Sequence, residues 1–147
     1  LRCPEIRADH INVLTREPIR RGAHYFEFHL HHIGHEQWCG VVADPMRVPR
    51  NLHTWAYYAG RMGSASDCIA NGHAALHAMG RAVVPFENLR PEGDVIGMLV
   101  DMTLGAIVFD LNGKLQGACE VENEKPLWVF THVRTSRDHV ELKKPSL

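Results

Sequence analysis

The sequence carries almost no net charge, no closely spaced cysteines and no long apolar run, and each absence closes off a class of protein. Its 16 Lys and Arg stand against 17 Asp and Glu, a formal charge of −1. A nucleic-acid surface needs a basic stripe, so no nucleic-acid partner is expected. No apolar run approaches the length that spans a bilayer, so no membrane association is expected either. Cys3, Cys39, Cys68 and Cys119 lie far apart with no C-x-x-C pair, which argues against a zinc ribbon. Nor does a domain of this size without secretory signs call for a disulfide framework. The cysteines are therefore expected to be reduced thiols of an intracellular, cytoplasmic protein, with Cys39, between Trp38 and Gly40, a small core residue. There is no Gly-x-Ser-x-Gly elbow, no phosphate-binding loop and no Cys/His nucleophile pair in a recognisable context. Neither enzymatic activity nor a cofactor is expected. The chain starts at Leu1 rather than Met and shows no signal-peptide pattern, so it is expected to be a domain of a longer protein.

What the chain does contain is a series of short β signals. Its 147 residues suffice for one domain, 1–147, to bury a full core without disulfides. The most informative stretch runs from Gly93 to Gly113. Asp94 to Asp101 reads as an apolar strand and Ile107 to Leu111 as a second. Asn112-Gly113 tolerates the positive φ angles of a type I′ turn, so a third strand, Lys114 to Cys119, should return beside the second. From His24 to His32, Phe26, Phe28 and Leu30 alternate with Tyr25, Glu27, His29 and His31, which predicts a strand with one buried face. Trp38 to Ala43 is apolar throughout, as a strand buried on both faces would be. His10 to Leu14, Trp55 to Tyr58, Leu127 to Val133 and His139 to Leu142 complete the predicted strands. Between Arg61 and Arg90 the pattern fades: Gly63, Ser64, Ser66, Asn71 and Gly72 suggest loops, and His73 to Met79 a helical turn bounded by Gly72 and Gly80. Short strands at this spacing predict an all-β sandwich of two antiparallel sheets with little helix. Phe26, Phe28, Val41, Ile96, Leu99, Ile107 and Phe109 are the expected core, and Trp38, Trp55 and Trp128 are expected to pack rather than bind.

Taken in order, these segments resemble the SPRY domain family. Gly22 followed by Tyr25-Phe26-Glu27-Phe28 is similar to the family's first full strand, and Trp38-Cys39-Gly40-Val41-Val42 to its Gly-Val strand. Trp55-Ala56-Tyr57-Tyr58-Ala59-Gly60 is similar to an aromatic stretch ending in Gly. Gly93 to Asp101 carries Gly-Asp-x-Ile-Gly with a closing Asp, and Ile107, Phe109, Asn112, Gly113 and Gly117 match the strand and hairpin that follow. The similarity extends from residue 10 to residue 142, and the ordered set from Gly93 to Gly117 is its most specific part. The Arg61 to Arg90 segment lacks the family's Tyr-Gly, Leu127-Trp128-Val129 lacks its Pro, and no upstream PRY segment is visible. The resemblance implies a bent, concanavalin-like sandwich serving as a monomeric, non-catalytic interaction module. Such a module would bind a peptide or a partner protein surface, for example as the substrate-recruiting part of a ubiquitin ligase or scaffold.

The resemblance also implies that three loops converge on one edge. The first offers Arg16, Pro18, Arg20 and Arg21; the second Arg47, Val48, Pro49 and Arg50; the third Thr135 and Arg137. Arg and Pro in these loops suit an extended peptide with acidic or amide side chains, because guanidinium presents a fork of donors. Two other functional classes have signals in the residues. His29 and His31 share the strand face of Glu27, a metal-like pattern, and His73 and His77 would share a helical face; a solvated or partner-facing surface is preferred for both, and no metal is expected. Glu120, Glu122 and Glu124 alternate, and glycoside hydrolysis needs two carboxylates flanking the scissile bond. Asn123-Glu124-Lys125-Pro126 is turn chemistry, so an exposed acidic loop is preferred to a carbohydrate site. Asp94 and Asp101 are expected to serve the ends of their strand.

Overall fold

The structure is a computed structural model that describes residues 11–34, 36–46, 53–60, 73–133 and 137–145. Its regular elements there are all strands: β1 (Ile11–Leu14), β2 (Ala23–His32), β3 (Glu36–Val42), β4 (Thr54–Gly60), β5 (His73–Ala78), β6 (Arg81–Phe86), β7 (Asp94–Asp101), β8 (Ala106–Leu111), β9 (Lys114–Glu120), β10 (Trp128–Val133) and β11 (His139–Lys143). They form a six-stranded sheet, β1-β10-β3-β4-β5-β6, and a five-stranded sheet, β11-β2-β7-β8-β9. Every pairing is antiparallel.

Period-2 alternation decides what faces inward. On β2, Phe26, Phe28 and Leu30 are buried; Ile96, Met98 and Val100 of β7 and Ile107 and Phe109 of β8 join them. The facing sheet contributes Cys39, Val41, Trp55, Tyr57, Leu76 and Val129 to the same core. Leu99 departs from expectation: it is half-buried and points outward. In an unbroken apolar run the sequence gives no parity, and the pairing of β7 with β2 and β8 sets Ile96, Met98 and Val100 inward instead. Trp55 lies in the main core, whereas Trp38 belongs to a second cluster with Val42, Ala56 and Phe130 on the outer face of the six-stranded sheet. There the Trp38 ring lies 4.3 Å from Tyr58 and 4.9 Å from His77, centroid to centroid. Trp128 is half-buried at the margin of that cluster.

The expected helical turn at His73 to Met79 is instead a hairpin. β5 pairs with both β4 and β6, and Met79 and Gly80 make the turn with φ of 54° and 86°. Ala, Leu and Met favour helix locally, but pairing with the buried β4 overrides that preference. The Asn112-Gly113 turn has the same signature, φ 53° and 85°, as its sequence predicts.

Two polar constellations fix the five-stranded sheet. Tyr25 of β2 donates to Asp110 Oδ2 of β8 at 2.9 Å, across the outer face of β7. Gly97 lies beneath this bond, where a Cβ would collide with both the carboxylate and the phenol. Burial, then the Asp110 carboxylate, push the Tyr25 phenol well above its ordinary range. The second constellation surrounds Asp94, which is only 2% exposed. It accepts from the Arg90 backbone N–H at 2.6 Å, from Arg90 Nε at 2.8 Å and from Asn112 Nδ2 at 3.0 Å, and it pairs with Arg90 Nη2 at 2.6 Å. Asn112 in turn accepts from Val95 N at 2.8 Å. Burial pushes the Asp94 carboxyl up, but these hydrogen bonds and the guanidinium outweigh it and hold the group below the usual carboxylate range.

Two outcomes are expected. Phe109→Ala, which empties a fully buried ring site packed between Tyr57 and Phe86, should cost about 3–5 kcal/mol in chemical denaturation, and Leu99→Ala clearly less. Asp94 is more acidic folded than unfolded, so its stabilisation is present above about pH 4 and lost as pH falls through the lowered value. Asp94→Asn should therefore be less stable at neutral pH and show a flatter acid limb when melting temperature is followed against pH.

Candidate functional site

Strand registers sort the connections into two ends. Leu14 stands beside Phe130, Trp128 opposite Val42, Val42 opposite Thr54, and Trp55 opposite Ala78. In the other sheet Ala23 lies opposite Asp101, and Met102 N donates to Gly22 O at 2.9 Å. The β1–β2, β3–β4, β5–β6, β7–β8 and β9–β10 connections therefore share one end. At the other end, Asp138 Oδ1 accepts from Gly34 N at 3.1 Å and joins the β10–β11 connection to the β2–β3 connection.

This geometry separates the sequence-predicted site residues. Arg16, Pro18, Arg20 and Arg21 lie in the β1–β2 loop at the first end, with both neighbouring arginines and Arg16 exposed. Arg137, exposed beside buried Asp138, lies at the opposite end, because β10 runs the length of the sheet between the two loops. The expected convergence of all three loops thus does not hold for Arg137. Arg47, Val48, Pro49, Arg50 and Thr135 lie outside the described residues.

The first end also carries residues that the sequence did not single out. Met46, Leu104 and Met79 occupy three different connections and are 88%, 78% and 52% exposed. Isolated apolar side chains have no sequence signature of exposure; only the loop ends reveal them. These connections are braced. Ile19 exchanges backbone hydrogen bonds with Leu127 at 2.7 and 3.0 Å and is buried. His53 Nδ1 lies 3.1 Å from Glu122, tying the β3–β4 and β9–β10 connections, and Asn123 Nδ2 donates to Met102 O at 2.8 Å. Asp101 caps its turn through Thr103 N and Leu104 N, both at 2.9 Å, the strand-end role its position predicts.

Beside the β1–β2 loop is a cleft of about 410 Å³ lined by this loop together with His24, Phe26, Val129 and Lys144. Gly22 (φ 79°) turns the chain so that the Arg21 carbonyl reaches His24 Nε2 at 2.7 Å.

The alternative sites resolve differently. His29 and His31 do share a face with Glu27: His29 Nε2 lies 3.1 Å from Glu27, His31 Nε2 2.9 Å from Glu141, and the His31 ring 4.6 Å from His139. The His31 hydrogen bond holds the Glu141 carboxyl below its ordinary range. Among the described residues no group of three or more His, Cys, Asp or Glu is arranged to hold a metal ion. The acidic row is interrupted by the core residue Val121, with Glu122 on His53 and Glu120 and Glu124 exposed. Burial pushes the Cys39 thiol up to about 12 and that of Cys119 up to about 11, so both stay protonated and unreactive. Cys3 and Cys68 lie outside the described residues. Among those residues no helix is long and apolar enough to cross a membrane.

Solved structures share this architecture. The SPRY domain of human HERC1 superposes with a TM-score of 0.70 at 16% identity, over 96% of this chain and 85% of that one. A human SPRY domain gives 0.66 at 19% identity, over 91% and 84%. The TRIM65 PSpry domain gives 0.59 at 17% identity, over 92% and 70%. No protein-family model matches the sequence, and no curated protein is significantly similar to it. The chain therefore has the SPRY fold, an all-β sandwich of two antiparallel sheets.

Gly22→Ala should strain the left-handed turn and cost about 1–2 kcal/mol. A thermal melt checks the cost, and the His24 ring resonances should move with the displaced Arg21 carbonyl.

Proposed function

We propose that this domain is a non-catalytic protein-interaction module that binds a peptide or partner surface through the end formed by the β1–β2, β3–β4 and β7–β8 connections. One observation carries this: exposed apolar tips on separate connections, Met46, Leu104 and Met79, share an end with Arg16, Arg20 and Arg21. Among the described residues none of these three arginines has an ion-pair partner. Apolar and Arg side chains displayed together on a braced scaffold are the composition of an interface, and little loop entropy remains to be lost on binding. The ligand is an extended peptide with acidic or amide side chains interspersed with apolar ones. The likeness to SPRY domains supports the same reading.

Capture of partners from a lysate by the wild-type domain, repeated with Leu104→Ser, Met46→Ser and Arg20→Glu, tests it. One or two of these substitutions should weaken a recovered partner by about 2 kcal/mol, roughly 30-fold in Kd, with the melting temperature nearly unchanged. Partners retained equally by all three variants would place the interface elsewhere.

A further inference from the structure

The cleft beside the β1–β2 loop contains a lysine that no loop of the sandwich supplies. Lys144 follows β11, and its Nζ lies 2.9 Å from His24 Nδ1. An ammonium only donates, so Nδ1 must accept; a carbonyl only accepts, so Nε2 must donate to Arg21 O, 2.7 Å away. The hydrogen-bond network thus assigns His24 as the neutral Nε2–H tautomer, clamped between loop and lysine. The imidazole is stacked with Phe26 at 6.4 Å and 28°, and Lys144 Nζ stands 5.5 Å from the Phe26 ring centroid. Lys144 is exposed, with its ammonium near the Phe26 ring and two of its three N–H donors not used by His24.

The electrostatics of the lining are one-sided. Arg20, Arg21 and Lys144 face the cleft with a single carboxylate, Glu17. Among the described residues none of the three cations has an ion-pair partner. Pro18, Ile19, Phe26 and Val129 supply apolar walls beside these charges. The volume, about 410 Å³, is that of a site for one side chain and its flanking peptide rather than for a whole domain.

We infer that this cleft is a carboxylate subsite, taking an acidic side chain or the C-terminal carboxylate of a peptide, with the carboxylate on Lys144 and Arg20 and the aliphatic stem against Phe26, Val129 and Pro18. The inference rests on the peptide-binding function proposed above and adds to it a site and a chemical class. Lys144 is the anchoring group; His24 is a positioning residue that fixes its ammonium.

Heteronuclear NMR titration tests this with four probes: the blocked peptide Ac-Ala-Leu-Glu-Leu-Ala-NH2, its Gln counterpart, the Gln peptide with a free C-terminal carboxylate, and inorganic phosphate. The Glu peptide should shift His24, Phe26, Val129 and Lys144, and the blocked Gln peptide should not. The free-carboxylate peptide reaching the Glu affinity identifies a chain terminus as the natural group; failing to do so identifies a side chain. Lys144→Met, which keeps the aliphatic stem, should weaken the Glu peptide about tenfold, and Lys144→Arg should restore most of it. Equal binding of the Glu and blocked Gln peptides overturns the subsite, as does the absence of any shift. Phosphate shifting the cleft as strongly as the Glu peptide overturns the carboxylate assignment. Shifts at Met46 and Leu104 with a silent cleft overturn the subsite but leave the loop-end interface standing. A cleft that binds the Glu peptide while Leu104→Ser and Met46→Ser leave partner capture unchanged keeps the subsite and overturns that interface.

Discussion

A buried carboxylate without partners is among the costliest things a protein interior can hold, and Asp94 is buried to 2% exposure. It is satisfied only if three separate segments come together: the Arg90 backbone and side chain from the β6–β7 connection, Asn112 from the β8–β9 hairpin, and the first turn of β7 itself. The same requirement places Asn112 where its amide oxygen receives Val95 N, so the hairpin turn and the strand start are fixed together. Nearby, Glu87 takes Lys114 Nζ at 2.9 Å and Gln116 Nε2 at 2.8 Å, fastening the edge of one sheet to the edge of the other. Asp138 on Gly34 adds a further tie at the same end of the sandwich.

The opposite end carries exposed apolar side chains. Its connections are braced by the Ile19–Leu127 bridge, the His53–Glu122 contact and the Asn123 bond to Met102 O, while Met46, Leu104 and Met79 stay exposed. Antiparallel topology separates the two sets of connections, because each strand returns the chain to one end or the other. Side chains carried on these braced connections lie outside the core.

The sheet edges show a related economy. β6 and β9 are unpaired on one side, and an unpaired strand is a template for association. Each carries a register shift, β6 opposite Leu76 and His77 and β9 opposite Phe109 and Asp110, and β6 also contains Pro85. Bulges and proline interrupt the regular row of donors that another strand would need. The cleft with Lys144 lies on the other side, between the β1–β2 loop and the end of β11, where the two sheets part company.

By itself the sequence determined the elements whose cause is local. The alternation in β2, the Asn112-Gly113 turn and the Gly93 to Gly117 meander were legible because period-2 burial and positive φ leave direct marks on residue choice. The loop carrying Arg16, Pro18, Arg20 and Arg21 was legible for the same reason. What depends on distant partners was not. The β5–β6 hairpin is dictated by pairing with β4 and turns on Met79, a residue with no turn preference. The inward parity of β7 comes from register with β2 and β8, which an unbroken apolar run cannot encode, so Leu99 points outward. Tertiary structure alone put Arg137 at the far end from Arg16, Arg20 and Arg21, and it alone brought Lys144 across 120 positions of sequence to His24. A side chain's chemistry is written in its own residue, but its neighbours are chosen by strand order and register, which belong to the whole chain.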